Sequence, residues 1–421
     1  MRTRTRWTTS AAVPLLLLAL VTLPAIASIE KANPEDVGLS TDRLERIHDA
    51  IQRHIDDGNI TGAVTAATRR GGLAHLEAHG LMDRESGTAM TEDAIFKIMS
   101  MTKPVVGVAI LMLMEEGELR LADPVSRFIP ELADLTVAVG TTGGRGRGDG
   151  PPAFYTVPAS RPITVQDLLT HTSGLASGPI SSREAGRVAS QQPTDALADL
   201  IPKLGEAPLE FQPGERWAYS PSRGFDVLLR IVEITSGQAA DQFLRARIFE
   251  PLGMNDTFFW APDTHRSRVV IVYQRTPDGL TRSRNQVGAT SDTYFSGGGG
   301  LMSTAQDYLQ FGQMLLNGGE LNGHRLLSPK TVELMSSTFV EAFGFGRVSP
   351  GLGFGLSVQV VNDPVAAGQR VGAGSFGWDG AYGTHFWVDP TENIVGVVMI
   401  QTPNFQVSRD VETALMQAIV D

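Results

Sequence analysis

Two residues three positions apart, Ser100 and Lys103, could together perform nucleophilic catalysis. A serine hydroxyl is a weak nucleophile, and a buried lysine whose pKa has fallen can act as its base. The continuous apolar run 104–114 follows directly and ends at Glu115-Glu116-Gly117, which predicts a buried helix with a glycine stop. Because Pro104 has no N–H to donate, the helix must begin close to Ser100, and the spacing then places both side chains on one face.

The pair also has an ordinary alternative, because serine and lysine at this spacing form a short pattern. Ser28 and Lys31 match it as well, but no apolar helix follows them. A helix-capping serine beside a surface lysine would look the same in sequence. A helix N-terminus favours the chemical interpretation, since the positive end of the helix dipole stabilises a developing alkoxide. The motif alone therefore makes Ser100 and Lys103 a candidate pair and no more.

The 421-residue chain begins with a segment typical of a secretory signal peptide. Three arginines among the first six residues precede the apolar run 11–21, and Ala25-Ile26-Ala27 offers small residues for cleavage after Ala27. A membrane anchor is the alternative, but this run is short for a hydrocarbon layer of about 30 Å. We expect removal of residues 1–27, which leaves a periplasmic or secreted protein without a stable membrane anchor.

Composition excludes several classes of function. The formal net charge is −11 and no basic stripe occurs, so we expect no nucleic acid partner. The chain has no cysteine, which excludes disulfides and a thiol nucleophile. Its eight histidines lack a metal-ligand spacing such as His-Glu-x-x-His, and no Gly-x-Ser-x-Gly elbow occurs. We expect neither a metal nor another cofactor, and we interpret His171 and His385 as packed, hydrogen-bonding residues.

The hydrophobic pattern predicts strands at both ends of the chain and helices between them. The predicted terminal elements are a helix at 40–58, strands at 61–68, 72–79, 383–388 and 394–400, and a last helix from Arg409. This order predicts an α+β fold whose α/β body is made from residues 28–125 and 290–421. Residues 126–289 would form an inserted, mostly helical region with a Gly/Arg/Pro loop near 140–152.

Four runs in order resemble the serine β-lactamase and penicillin-binding-protein superfamily, in particular its class C-like branch and the family VIII carboxylesterases. They are Ser100-Met101-Thr102-Lys103, ITVQDLLTHTSGL at 163–175, FQPGERWAYS at 211–220 and FSGGGGL at 295–301. The resemblance extends over nearly the whole mature chain. It implies a β-lactamase/transpeptidase-like fold, with an antiparallel sheet flanked by helices, and it identifies Ser100 as the nucleophile.

By this resemblance Tyr219 is the tyrosine of the family's second motif, on a loop before a helix that begins near Gly224. A phenolate beside the Lys103 ammonium could take the Ser100 proton and later activate water. A buried tyrosine with a satisfied hydroxyl is the structural alternative. The family's asparagine two positions later is replaced here by Pro221, so a side-chain donor for a substrate amide is missing.

The third motif of the family, usually lysine or histidine with a glycine two positions later, is best matched by Trp378-Asp379-Gly380. A tryptophan here resembles the family VIII esterases. A lysine would pair with a substrate carboxylate, whereas an indole offers an apolar face and one N–H, which favours neutral esters. We expect an edge strand facing Ser100, with Trp378 and Gly380 contacting substrate and the backbone N–H groups of Ser100 and Ala381 forming an oxyanion hole.

Three functions remain open at this point. The first is an exported esterase that forms an acyl-enzyme on Ser100 and acts on a small-molecule, short-chain neutral ester. The second is a β-lactamase or D-peptide-specific peptidase with the same chemistry. The third is an inactive relative that binds a cell-wall fragment or another ligand. The intact Ser100, Lys103 and Tyr219 disfavour the third function, and Pro221 and Trp378 disfavour the second.

Overall fold

The structure is a computed structural model that describes residues 29–141, 153–192, 194–284, 292–341 and 349–421. The predicted signal segment, residues 1–27, and most of the loop near 140–152 lie outside these ranges. Within them, no helix is both long and apolar enough to cross a membrane.

The α-helices of the described residues are distributed over the whole chain. They are α1 Thr41–Asp56, α2 Thr102–Glu115, α3 Val165–Leu169, α4 Pro179–Val188, α5 Leu197–Leu200, α6 Arg223–Ser236, α7 Ala240–Leu244, α8 Glu250–Leu252, α9 Ala305–Leu316, α10 Pro329–Met335, α11 Pro364–Ala367 and α12 Phe405–Gln417.

The strands are concentrated toward the two ends. They are β1 Gly62–Arg69, β2 Gly72–Asp83, β3 Thr88–Ala89, β4 Phe96–Lys97, β5 Thr136–Gly140, β6 Phe154–Pro158, β7 Tyr273–Thr276, β8 Gly279–Arg282, β9 Met302–Ser303, β10 Glu320–Leu321, β11 His324–Arg325, β12 Val340–Glu341, β13 Leu352–Phe354, β14 Gln359–Val361, β15 Phe376–Asp379, β16 His385–Asp389 and β17 Ile394–Met399.

One nine-stranded antiparallel sheet joins the two ends of the chain, in the order β12-β13-β14-β15-β16-β17-β1-β2-β3. The join is the pairing of β1 with β17, in which Val64 lies opposite Met399 and Arg69 opposite Ile394. The predicted α+β class, with an antiparallel sheet flanked by helices, is confirmed. The division into a body and an inserted region stays a prediction about folding units.

Helices cover both faces of this sheet, and β1 is buried along its whole length for that reason. Successive strand residues point to opposite faces. Ala63 and Ala67 pack in the core layer beneath α1 and α12, whereas Val64 and Ala66 pack in the layer that contains α2 and α9. The helix α9 lies especially close, because a Cβ on its Gly312 would come within 2.4 Å of Val395.

The start of α2 decides where the candidate nucleophile lies. The helix begins at Thr102, so the prediction that it starts close to Ser100 is confirmed, and Ser100 itself sits in the preceding 3-10 turn Met99–Met101. Met99 has a φ of 48°, which is unusual for a residue with a side chain. This turn presents Ser100 at the end of a helix whose body is buried.

The region between the two ends holds strands that periodicity did not predict. The hairpins β5–β6 and β7–β8 interrupt the helices. Among the helices of this region, α7 is followed by a wider turn over Arg245–Phe249. The last helix starts at Phe405 instead of Arg409, because Asn404 caps it with a side-chain acceptor for the Gln406 N–H.

Candidate active site

Three side chains from separate parts of the chain meet at Ser100. The Tyr219 hydroxyl donates a hydrogen bond of 2.6 Å to Ser100 Oγ, and Lys103 Nζ donates one of 3.1 Å to the same oxygen. Lys103 follows Ser100 by one turn, as the spacing predicts. Tyr219 reaches the pair from a loop 119 residues away in the sequence. The serine oxygen therefore lies between a phenol and an amine.

The Lys103 amine is fully buried, and two of its hydrogen bonds go to backbone oxygens. Nζ donates to the carbonyl of Pro221 at 2.7 Å and to the carbonyl of Gly298 at 2.6 Å. With Ser100 Oγ these acceptors account for all three N–H bonds of an ammonium. Burial lowers the pKa of Lys103, and the nearby Tyr219 and Asp226 act in the opposite direction.

Sequence reasoning missed the role of Pro221, whose carbonyl holds the lysine. The loss of an asparagine amide at this position is visible in the sequence, but a backbone carbonyl is present in every residue type and leaves no signal. Gly298 supplies the second carbonyl through a close approach, because a Cβ there would lie 2.4 Å from the Cα of Ser222. The glycine run at 297–300 was the available signal for that approach.

Asp226 was also missed, although it organises the glycine run. It is fully buried on α6 and accepts hydrogen bonds from the N–H of Gly298 at 3.2 Å, the hydroxyl of Ser296 at 2.8 Å and that of Tyr294 at 2.7 Å. The sequence feature that could have indicated Asp226 is a carboxylate on an otherwise apolar helix face. It fixes the backbone that presents the Gly298 carbonyl to the lysine.

His171 positions the loop that carries Tyr219. Its ring nitrogen Nδ1 accepts the N–H of Ser220 at 3.2 Å, its carbonyl accepts the N–H of Ala218 at 3.0 Å, and its ring centroid lies 4.7 Å from that of Tyr219. Burial, followed by the charge of Lys103, holds the pKa of His171 well below its usual range. A neutral, packed histidine agrees with the interpretation from sequence.

The expected edge strand for the third motif is wrong, because β15 lies between β14 and β16. The strands β12 to β14 are only two or three residues long, so they show no alternating pattern from which they could be predicted. The pairing of β15 with β14 nevertheless ends at Gly377. Trp378 and Asp379 therefore have a strand partner only on the β16 side, and this part of β15 is open toward Ser100.

The turn after β15 packs directly against the segment before Ser100. A Cβ on Gly380 would lie 2.4 Å from the carbonyl oxygen of Ile98, and the Thr384 hydroxyl donates to that oxygen at 3.2 Å. The Gly380 N–H is used by the Thr384 carbonyl at 2.7 Å. The next N–H, that of Ala381, donates to no other residue among those described. It lies on the wall of the same cavity as Ser100.

A cavity of about 540 Å³ opens at these residues. The predicted Ser100, Tyr219, Trp378, Gly380 and Ala381 all line it. Its remaining wall is Ser349, Leu352, Gln359, Gln369, Asp379, His385, Phe405, Ser408, Arg409 and Glu412.

Trp378 both packs and lines this cavity. Its ring is 5% exposed, meets the Phe354 ring edge-on at 5.1 Å and lies 5.7 Å from the Tyr219 ring. Trp378 is therefore a packed aromatic residue and part of the cavity wall at the same time.

Comparison with known proteins identifies the family. The sequence model of the Beta-lactamase family matches residues 47–421. The chain belongs to the Beta-lactamase family. It is a serine hydrolase of that family, and the expected relationship with serine β-lactamases and penicillin-binding proteins is confirmed.

Three relatives of this β-lactamase-family chain carry names related to esters and acyl groups. Esterase EstB of Burkholderia gladioli is 30% identical over 404 residues, which cover 90% of this chain and 94% of EstB. Lovastatin esterase of Penicillium rubens is 31% identical over 380 residues, 83% of this chain and 91% of that protein. The solved structure of EstCE1, a hydrolase with promiscuous acyltransferase activity, superimposes with a TM-score of 0.74 at 25% identity and covers 89% of this chain and 99% of its own.

His385 lies at the cavity wall of this family member, between two carboxylates. Its Nδ1 lies 2.6 Å from an oxygen of Asp379, and its Nε2 lies 3.8 Å from Glu412, which is an ion-pair distance longer than a hydrogen bond. Its ring stacks on Trp387 at 5.2 Å. Although burial opposes the charged form, the two carboxylates raise the pKa of His385 to about 9. The expectation of a packed histidine holds, but this one also reaches the cavity.

The raised pKa predicts a pH-dependent contribution of His385 to stability. The contribution is fully present below the unfolded pKa of about 6.5 and is lost as the pH rises through about 9. We expect the Tm of His385→Gln to lie furthest below wild type at pH 6 and the two values to converge by pH 10, in thermal scans at fixed salt. His324→Gln, at an exposed position on β11, is the control. A Tm gap that is constant or widens with pH would contradict the prediction.

Proposed function

We propose that this chain is an exported serine hydrolase that cleaves short-chain, neutral carboxylic esters through an acyl-enzyme on Ser100. One observation carries the proposal. Ser100 Oγ lies within hydrogen-bonding distance of both Tyr219 OH and Lys103 Nζ, and Ser100 and Tyr219 line a cavity that Trp378 also lines. The similarity to EstB and to lovastatin esterase supports esters as the substrate class.

In the proposed acylation step, Ser100 Oγ attacks the ester carbonyl carbon. Tyr219 enters this step as the phenolate, with Ser100 as the donor of their 2.6 Å hydrogen bond, and the serine proton passes to the Tyr219 oxygen. The Lys103 ammonium, fixed by the carbonyls of Pro221 and Gly298, stabilises the phenolate that accepts this proton. The C–O bond of the ester then breaks, and the departing alkoxide takes the proton to leave as an alcohol. The product is an ester between the acyl group and Ser100.

In the proposed deacylation step, Tyr219 takes a proton from water, which attacks the acyl carbon and displaces Ser100. The carboxylic acid is released and the serine regains its proton. In both steps the carbonyl oxygen becomes negatively charged. The N–H groups of Ser100 and Ala381, at the cavity wall, are the proposed donors to that oxyanion.

The preference for neutral esters rests on the groups around the acyl site. Trp378 replaces a lysine that would pair with a substrate carboxylate. The carboxylates of Asp379 and Glu412 line the same cavity and disfavour a second anion. Apolar contacts come from Leu352 and Phe405. A short acyl chain with no charge fits this combination.

A second candidate, hydrolysis of a β-lactam or a D-peptide, is favoured by one observation. Arg409, an exposed arginine on α12, lines the cavity and can meet a substrate carboxylate where the family's lysine is missing. β-Lactams and D-peptides carry an amide group, however, and Pro221, which replaces the family's asparagine, has no side-chain amide to bind it. We therefore rank this candidate below ester hydrolysis.

Export is proposed from residues 1–27 alone. The arginines, the short apolar run and Ala25-Ile26-Ala27 support cleavage after Ala27. The product would be active in a periplasm or outside the cell, where the absence of cysteine makes it insensitive to thiol oxidation.

We expect the purified chain to hydrolyse p-nitrophenyl butyrate faster than a chromogenic cephalosporin, and Ser100→Ala to abolish both activities because no nucleophile remains. Initial rates measured by absorbance, together with the mass of a trapped acyl-enzyme, test this. Cephalosporin turnover equal to or faster than ester turnover would replace the proposal with the second candidate. Absence of any Ser100-dependent turnover or acylation would instead indicate a ligand-binding protein.

Tyr219→Phe keeps the ring and removes only the hydroxyl beside Ser100. Because a positioned acid–base group contributes about 10²–10⁴-fold, we expect kcat for p-nitrophenyl butyrate to fall by that factor, with a Tm close to wild type. Tyr155→Phe, an exposed tyrosine on β6, should leave kcat unchanged. A Tyr219→Phe variant with kcat within about threefold of wild type would exclude the proposed general base.

Arg409→Gln separates neutral from carboxylate-bearing substrates. We compare p-nitrophenyl butyrate with the hemisuccinate ester, which has the same chain length and a terminal carboxylate. Because exposed ion pairs contribute about 0.2–1 kcal/mol, kcat/KM for the hemisuccinate should fall roughly twofold to fivefold and that for the butyrate should not change. Arg266→Gln, outside the cavity, is the control. Equal effects on both esters would show that Arg409 does not contact the acyl end.

A further inference from the structure

A cluster of imidazole and carboxylate groups lies outside the cavity at Ser100. His75, Glu77 and His79 alternate along β2 and therefore point to the same face of the sheet. In the pairing of β2 with β1, these three residues lie opposite Ala67, Thr65 and Ala63, respectively. Ala63 and Ala67 pack beneath α1. His48 approaches the cluster from α1.

Three of these side chains converge on one point between α1 and the sheet. His48 Nδ1 lies 2.6 Å from one oxygen of Glu77, and His79 Nε2 lies 3.7 Å from the other. One ligand atom from each of the three residues lies within 4.8 Å of the other two. Ligand atoms around a tetrahedral zinc ion at about 2.0–2.2 Å are roughly 3.3 Å apart, so small side-chain rotations bring this set into range.

We propose that His48, Glu77 and His79 form a binding site for a zinc-class divalent cation that fastens α1 to the sheet. Two imidazoles and one carboxylate are a ligand set that zinc accepts. His48 and Glu77 have side chains 46% and 36% exposed, so a cation can enter from solvent and keep a water as its fourth ligand. The site is independent of the proposed ester chemistry, because none of its residues lines the cavity at Ser100.

His79 is the buried member of the cluster. Its side chain is 1% exposed, and its Nε2 is the ring nitrogen that faces Glu77. The buried hydroxyl of Thr65 lies 3.2 Å from the same nitrogen and 2.8 Å from His75 Nε2. A cation bound at His79 Nε2 would therefore replace the Thr65 contact there, and the hydroxyl would keep its shorter contact with His75.

The test is zinc titration of the full chain after treatment with a chelator. We expect one equivalent of Zn²⁺ to bind in calorimetry, with a rise in Tm, and Co²⁺ to give the visible absorption bands of a tetrahedral site. His48→Gln and Glu77→Gln each remove a ligand at a partly exposed position. Since even outer-shell changes cost about 10–100-fold in metal affinity, each should weaken binding at least about 100-fold.

The control is His324→Gln, an exposed histidine on β11 away from the cluster, which should bind Zn²⁺ with wild-type affinity. Circular dichroism and the rate with p-nitrophenyl butyrate verify that each variant is folded, since neither ligand touches the catalytic groups. Failure of the wild-type chain to bind one Zn²⁺, or unchanged affinity in both ligand variants, would overturn the site and leave the cluster as a hydrogen-bond network. Loss of esterase activity with Zn²⁺ binding intact would count against the proposed function alone.

Discussion

The burial of the Lys103 amine is the constraint on which the rest of the site depends. An amine that is removed from water must have its hydrogen bonds supplied by the protein, and here backbone carbonyls supply them. One comes from Pro221, directly after the Tyr219 loop, and the other from Gly298. The three elements that carry the nucleophile, the phenol and the glycine run are therefore held together by a single charged group.

This arrangement extends outward through groups that never touch a substrate. Asp226 fixes the glycine run by accepting its N–H and two neighbouring hydroxyls. His171 fixes the loop of Tyr219 through Ser220 and Ala218. Both residues are buried, and the oxygens of Asp226 and the Nδ1 of His171 are used in these internal hydrogen bonds. The geometry at Ser100 is set by buried hydrogen bonds on two sides, which limits how far the serine and the phenol can move apart.

The cavity, by contrast, is built mainly from the last part of the chain. Trp378, Asp379 and His385 come from neighbouring strands, and Arg409 and Glu412 from the helix that covers one sheet face. The ring of His385 lies between two carboxylates, with its Nδ1 2.6 Å from Asp379 and its Nε2 3.8 Å from Glu412. The serine, phenol and amine on one side and most of the cavity wall on the other are thus carried by different segments of the chain.

The sequence alone determined what depends on local pattern. Pro104 and the apolar run behind it predicted the start of α2, and the spacing of Ser100 and Lys103 placed both on one side of that start. The ordered motifs predicted the fold class and brought in Tyr219, Trp378 and Gly380. Each of these inferences uses residues close in sequence or a run of letters that a family shares.

Only the tertiary structure decided which distant groups meet. The carbonyl of Pro221, the carboxylate of Asp226 and the ion pairs of His385 act across separations that no periodicity encodes, and a carbonyl is identical in every residue type. The strands β12 to β14 were also not predicted, because they are too short to show an alternation of apolar and polar residues. Without them, β15 was wrongly expected at the edge of the sheet. His48 and His79 also show no ligand spacing, because a helix and a strand bring them together only when α1 packs on the sheet.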